Sequence, residues 1–282
     1  MAPTTSREHP RTHPDVPVDL GVVEADELAA ATRDVVARAL AEDLADGVDV
    51  TSVTTVPLGT TGRAAVIARD AGVVAGTAVI VETCAQVSAE LHVELLVADG
   101  DTVAVGDHVA TVAGPLRAML TAERTFLNLL TGLSGVATHT RRFADVLAGS
   151  GCVVRDTRKT TPGLRLLEKA AVQAGGGACH RIGLHDAVLV KDNHVAAAGG
   201  VAAAARAALD GAPPGVHVQV EVTSLAEAEQ AMAQGVVDLL LDNFTPDEVR
   251  TAVAAIAGRA AVEASGGITL DTARAFADAG AD

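Results

Sequence analysis

Apolar residues recur along this chain with two periods, and the balance between them changes near residue 150. From Glu24 to Leu44 the apolar positions are Leu28, Val35, Val36, Ala39 and Leu40, with charged residues between them. That is the spacing of a helix with one core-facing stripe. Residues 62–98 alternate Val-rich runs with glycines, as in GRAAVIARDAGVVAGTAVI and LHVELLVADG. This predicts a small sheet packed on a helix. At 99–114, DGDTVAVGDHVATVAG sets two turn signals around β-type residues and predicts a tight β excursion. Thr121 to Ala148 reads as a long helix, with Thr121 as its expected cap and Gly132 and Gly135 as expected interruptions.

Beyond Gly151, short apolar strands (CVVRD, AVLVKD, VQVEV, VVDLLLD, AVEAS) alternate with Ala-rich helical segments at 197–209, 224–234, 246–257 and 269–279. Strands alternating with helices of about ten residues signal a parallel βα array. Asp156, Lys191, Glu221, Asp242 and Ser265 each end one of these strands. In a βα barrel the strand C-termini form the reactive face, so polar residues there read as functional. Asp and Ser are also ordinary helix caps.

Composition narrows the chemistry. The chain has 282 residues, 49% of them hydrophobic, with four Phe, no Tyr or Trp, and a net charge of −15. Without aromatic stacking platforms or positive charge, nucleic acid is an unsuitable partner. No apolar run is long enough to span a bilayer. Cys84, Cys152 and Cys179 are odd in number and widely spaced, which implies no disulfide framework and fits a cytoplasmic protein. All three lysines, Lys159, Lys169 and Lys191, fall within one 33-residue stretch, whereas the other 18 basic residues are arginines. From Arg155 to Lys191 seven basic residues face three acidic ones, a local charge of +4. Such a concentration in an acidic chain points to a small polyanion. Arg158, Lys159, His180, Arg181 and Lys191 offer donors, and Glu221 and Asp242 offer acceptors. That set fits a sugar phosphate together with a carboxylated partner. ASGGIT at 264–269 ends a strand in two glycines before a helix, a backbone that can cradle a phosphate.

RDTRKTTPGLRLLEKAAV, followed by GGGACHRIGLHDAVLVKDNH, resembles the quinolinate phosphoribosyltransferase family. TAERTFLNLLTGLSGVAT, VQVEV, LLLDNF and EASGGI stand in the family's order, so the resemblance covers about residues 20–282. It implies an α/β fold, a small N-terminal α/β sandwich domain followed by an incomplete α/β barrel. The corresponding divisions are a disordered extension at 1–19, an N-terminal α/β domain at 20–130 and a barrel domain at 131–282. The barrel is expected to lack its last strand, since the helix at 269–279 should feed one more.

The implied reaction joins quinolinate to phosphoribosyl pyrophosphate with Mg²⁺, giving nicotinate mononucleotide, pyrophosphate and carbon dioxide. By the same resemblance, Arg158, His180, Arg181 and Lys191 hold the quinolinate carboxylates, with Thr157 beside them. Lys159 contacts the pyrophosphate-bearing substrate. Glu221 and Asp242 face the ribose and the metal, directly or through water. Ser265, Gly266 and Gly267 form the 5′-phosphate pocket, and Arg124 reaches the site from the neighbouring subunit of a homodimer or larger assembly. Lys159, Lys191, Glu221 and Asp242 are the expected catalytic residues. Among the remainder, Lys169 is expected to be solvated, Asp156 and Asp186 to pair with the arginines, and Cys179 to carry an activated thiol. Three other readings stay open: a phosphoribosyltransferase acting on nicotinate, a lyase using Lys191 as a Schiff base, and a non-catalytic sugar-phosphate binder.

Overall fold

The computed structural model describes residues 16, 17, 19–21, 23–45 and 47–282. The expected disordered extension lies largely outside the described residues; within it Val16 is buried, and the Pro17 carbonyl accepts a hydrogen bond from Arg155 at 2.6 Å. The chain divides into two compact units, one of Val22–Arg141 with Asp156–Cys179, the other of Met1–Gly21, Arg142–Arg155 and His180–Asp282.

The first unit contains α1 (Ala25–Leu44), α2 (Val50–Thr55), β1 (Thr61–Ile67), β2 (Gly72–Val73), α3 (Thr77–Val87), β3 (His92–Leu95), β4 (Thr102–Val103), β5 (His108–Pro115), most of α4 (Leu116–Leu147) and α5 (Arg165–Ala174). Strands β1, β5 and β3 form an antiparallel sheet in that order, and β2 pairs with β4. The stripe expected on α1 is the buried one, with Val35, Val36 and Leu40 inside. The two turns expected at 99–114 are closed by Asp101 and Asp107, which accept the Ala98 and Ala104 amides at 2.8 Å each.

Helix α4 corrects the sequence reading. It starts at Leu116, so Thr121 lies inside it and bonds the Arg117 carbonyl at 3.0 Å instead of capping. It also runs unbroken through Gly132 and Gly135, which face open space. Each glycine weakens a helix by about 1 kcal/mol. Met119, Ala122, Phe126, Leu130, Leu133 and Ala137 all sit in the core, and burying each larger side chain contributes about 2 kcal/mol. Packing outweighs propensity.

The second unit runs β6 (Ala187–Val190), α6 (Asp192–Ala198), α7 (Val201–Gly211), β7 (His217–Val222), α8 (Leu225–Ala233), β8 (Asp238–Asp242), α9 (Pro246–Ile256), β9 (Ala261–Ser265) and α10 (Leu270–Asp278). The four strands are parallel neighbours in chain order. This open run carries the parallel part of the expected barrel; its pairings alone close no ring. CVVRD forms no strand, because its amides bond elsewhere: Cys152 N to Ser150 Oγ at 3.2 Å and Val153 N to the Asp282 carbonyl at 3.3 Å.

The pleat of this sheet sorts its residues. Val190 pairs with Val220, Val220 with Leu239, and Leu239 with Val262. With Val222 and Leu241 they build the core against the helices. Alternate positions project to the opposite face. That face carries Leu189, then His217, Gln219 and Glu221, then Asp238, Leu240 and Asp242, then Ala261, Glu263 and Ser265. Parallel strands buried on both sides usually read as continuous apolar runs. Here one face is mostly polar, interrupted by Leu189, Leu240 and Ala261.

Candidate functional site

The C-terminal row of the polar face joins residues from four successive strands. Lys191 stands one position beyond the Val190–Val220 register, opposite Glu221, and its Nζ donates to Glu221 Oε2 at 2.9 Å. The Lys191 side chain is 46% exposed and that of Glu221 13%, so the pair sits at the mouth and not inside the strand core. His194 Nδ1 accepts the Lys191 amide at 2.9 Å and fixes the start of α6. Asp242 is in register with Ser265; its carboxylate accepts from Ser265 Oγ at 3.2 Å and from Asn243 Nδ2 at 2.7 Å. The row therefore offers one exposed ammonium and two carboxylates, of which Asp242 is held by neutral donors.

Two glycines continue the row. Gly266 has φ +101°, and a Cβ there would lie 2.3 Å from Asn243 Oδ1 and 2.8 Å from Asn243 N. Gly267 has φ +63° and faces open space. The turn after β9 thus approaches Asn243 at one glycine and leaves room beside the next. Gly266→Ala should destabilise the protein by on the order of 3 kcal/mol, combining left-handed strain with overpacking. Gly267→Ala should remove only roughly 1 kcal/mol. Urea unfolding of the two variants measures the difference.

Beneath the mouth lies a buried polar network. Arg181 N donates to His180 Nδ1 at 2.8 Å, and His180 Nε2 lies 2.8 Å from Gln219 Oε1. Nδ1 must then be bare and Nε2 must carry the proton. The Gln219 amide donates to Asp238 Oδ1 at 3.0 Å and Glu263 Oε2 at 2.9 Å. Asp238 Oδ2 meets His217 Nε2 at 2.7 Å, and Glu263 accepts from Arg155 at 3.0 Å. Gln219 and Asp238 are each 1% exposed. Buried carboxylates are tolerable only when so paired. Arg181, also buried, donates from NH1 to the Ala187 carbonyl at 3.0 Å.

The first unit, taken by itself, carries a different set. Thr157 and Lys159 are exposed, and Lys159 N donates to Thr157 Oγ1 at 2.9 Å in a tight turn. Arg158 Nε is buried and has no hydrogen-bond partner among the described residues, which suits a donor that meets an external acceptor. Arg124 is exposed on α4. Neither it nor Lys159 has an ion-pair partner among the described residues, in a chain with 36 acidic side chains. Several other arginines share this state, so it permits an anion at these two positions without singling them out.

Known proteins share this fold. The family model described as quinolinate phosphoribosyl transferase, N-terminal domain, matches residues 49–134, and that of the C-terminal domain matches residues 136–282. The chain belongs to the quinolinate phosphoribosyltransferase family. It is 42% identical over 257 residues to a nicotinate-nucleotide pyrophosphorylase [carboxylating] from Mycobacterium leprae, covering 89% of this chain and 90% of that protein. A probable nicotinate-nucleotide pyrophosphorylase [carboxylating] from Bacillus subtilis is 40% identical over 218 residues, covering 77% and 75%. The solved structure of the nicotinate-nucleotide pyrophosphorylase from Francisella tularensis superposes with a TM-score of 0.86 at 35% identity, covering 95% of this chain and 92% of that one.

Within this quinolinate phosphoribosyltransferase fold, several residues differ from their expected surroundings. Lys169 is not solvated: its side chain is 0% exposed and its Nζ lies 2.7 and 2.8 Å from the two carboxylate oxygens of Asp156. Asp156 is thus held by a lysine. Cys179 is fully buried, with its Sγ 3.8 Å from the Lys169 carbonyl, so no activated thiol faces solvent. The His180 ring lies against protein groups, with Nδ1 accepting the Arg181 amide and Nε2 beside Gln219 Oε1. The sequence reading missed Gln219, Asp238 and Glu263. The signal was present in the strict alternation of HVQVEV and in the charges at strand interiors.

Asp186 was expected beside an arginine, but its carboxylate accepts the Gly183 amide at 2.8 Å and the Ile182 amide. Burial alone would raise its pKa; the amides of Gly183 and Ile182 outweigh that and hold it below its ordinary value of 3.8. A carboxyl depressed on folding adds stability above its unfolded pKa and loses it as pH falls through the folded one. Asp186→Asn should therefore melt below the wild type by a constant interval at neutral pH. That interval should close as the pH falls below about 4. Thermal melts of both proteins between pH 8 and pH 3 test this.

Proposed function

We propose that this protein transfers the phosphoribosyl group of phosphoribosyl pyrophosphate to the ring nitrogen of quinolinate and releases the 2-carboxylate as carbon dioxide, as a cytoplasmic enzyme of NAD synthesis. The observation that carries the reading is the strand-end row of Lys191, Glu221, Asp242 and Ser265 on one polar sheet face. The pyridine nitrogen attacks C1′ while the C1′–O bond to pyrophosphate breaks, and its electron pair leaves with pyrophosphate. Positive charge grows on the ribose in that transition state, and fixed carboxylates at Glu221 and Asp242 stabilise it without reorganising. Arg158 and Arg181 hold the ring carboxylates, and His180 keeps Arg181 in place. Lys191 is poised to exchange Glu221 for a quinolinate carboxylate, which frees Glu221 to face the sugar. Lys159 meets the pyrophosphate, Ser265 to Gly267 the 5′-phosphate, and Arg124 enters from the partner copy of a homodimer. Once the ring nitrogen is cationic it accepts electron density from the breaking C–C bond, and a proton replaces carbon dioxide. No protein nucleophile is needed.

Among the described residues no group of three or more His, Cys, Asp or Glu is placed to hold a metal ion. Two carboxylates suit Mg²⁺, which keeps water and substrate phosphates as its other ligands. Glu221 and Asp242 would hold it as it arrives with pyrophosphate, where it neutralises leaving-group charge. No helix among the described residues is long and apolar enough to cross a membrane.

The test is a coupled assay with quinolinate, phosphoribosyl pyrophosphate and magnesium that follows pyrophosphate and carbon dioxide together. Equimolar release of both is expected, with no turnover of nicotinate. Turnover of nicotinate at a comparable rate would favour the mono-acid alternative, and binding without pyrophosphate release would favour the non-catalytic one.

A further inference from the structure

Among the described residues, Lys169 is the largest side chain completely removed from solvent. A buried ion pair is weak evidence for stability, because desolvation offsets most of the attraction and apolar replacements are often as stable. What the pair does hold is geometry. Asp156 immediately precedes Thr157, Arg158 and Lys159. Its carboxylate is chelated by Lys169 Nζ, and its amide donates to the Ala178 carbonyl at 3.1 Å. Ala178 stands two residues ahead of His180 and three ahead of Arg181 in the chain. At the far end of the same loop, Thr161 N donates to Glu168 Oε2 at 3.1 Å and Arg165 Nε to Thr160 Oγ1 at 3.1 Å. Lys169, Glu168 and Arg165 all belong to α5. One helix therefore pins the loop 157–164 at both ends, and the Arg158 Nε and the Lys159 ammonium have no partner among the described residues.

We propose that the Lys169–Asp156 pair is a positioning element that sets the loop bearing Thr157, Arg158 and Lys159, and so fixes the affinity for both substrates. The inference rests on the reading of Arg158 and Lys159 as substrate contacts. A misplacement of about 1 Å in such contacts is enough for ~10²-fold in rate, whereas an apolar pair of similar volume preserves the packing around α5.

The test replaces the pair in the full-length protein, as Lys169→Met with Asp156→Leu. Hydrogen exchange of the amides at 157–164 should quicken by about tenfold or more as this loop loosens locally. The KM for quinolinate and the KM for phosphoribosyl pyrophosphate should both rise by about tenfold, with the melting temperature little changed. A merely structural pair would lower the active fraction, reducing kcat with both KM values unaltered; that result, or unchanged exchange at 157–164, overturns the proposal. Should the double variant fail to fold, Glu168→Ala removes the other anchor at the half-exposed end of the loop. It should quicken the same amides and raise both KM values about threefold, and unchanged exchange with unchanged KM values would again overturn the idea. If wild-type protein shows no quinolinate turnover, the functional reading fails by itself, and the exchange experiment alone decides whether the pair orders the loop.

Discussion

Arg181→Ala raises the KM for quinolinate by ~10²-fold and leaves the KM for phosphoribosyl pyrophosphate within about threefold. The guanidinium is buried, tied by NH1 to the Ala187 carbonyl at 3.0 Å, and approached by the His180 ring through its own backbone amide. Such a planar fork meets a carboxylate through charge-assisted bonds worth about 1.5–3 kcal/mol each. Only one of the two substrates carries carboxylates, so the loss should fall on that one. Arg181→Lys separates charge from shape: an ammonium keeps the attraction but not the bidentate geometry, and an intermediate KM is expected. Steady-state kinetics with each substrate varied in turn provide the measurement. Equal losses for the two substrates would contradict the assignment and point to a disturbance at the start of β6, where Arg181 meets the Ala187 carbonyl.

Lys191→Met lowers kcat by ~10²- to 10³-fold without unfolding the protein. Its side chain is 46% exposed, so the methionine stem fits and little packing is lost. The change strips Glu221 of its partner at 2.9 Å and removes the cation expected to exchange onto quinolinate. Lys191→Arg keeps the charge and should retain a measurable share of activity. A Schiff-base lyase would lose everything in both variants, and the wild type would be trapped by borohydride with a keto substrate. Pre-steady-state release of pyrophosphate in the two variants separates these readings. Full activity of Lys191→Met would remove Lys191 from the machinery.

What could be read from the residues depended on whether periodicity or long-range pairing determined them. The α1 stripe and the order of strands β6 to β9 follow from local spacing and were legible. So was the ending of two strands in Asp242 and Ser265, whereas β7 runs one residue past Glu221 to Val222. The course of α4 was not, because Gly132 and Gly135 argue for breaks locally while a core stripe on both sides carries the helix through. CVVRD has strand composition, yet its Cys152 amide turns back to Ser150 while those of Val153 and Asp156 meet the remote Asp282 and Ala178 carbonyls. Lys169 was misread for a related reason. Its partner Asp156 is thirteen residues away, and nothing in helical spacing brings them together. The preference of this chain for arginine on its surface was the one hint that a third lysine was not ordinary. The pairing of His180 with Gln219, 39 positions apart, likewise needed coordinates.

The alternation of β7 has an evolutionary corollary. His217, Gln219 and Glu221 share a side only because the strand counts in twos. Gaining or losing one residue ahead of Glu221 would turn valines toward the reactants and drive three ionisable or amide groups into the aliphatic layer under the helices. Drift in this segment is therefore confined to substitutions, while length changes must be absorbed by the connections on either side.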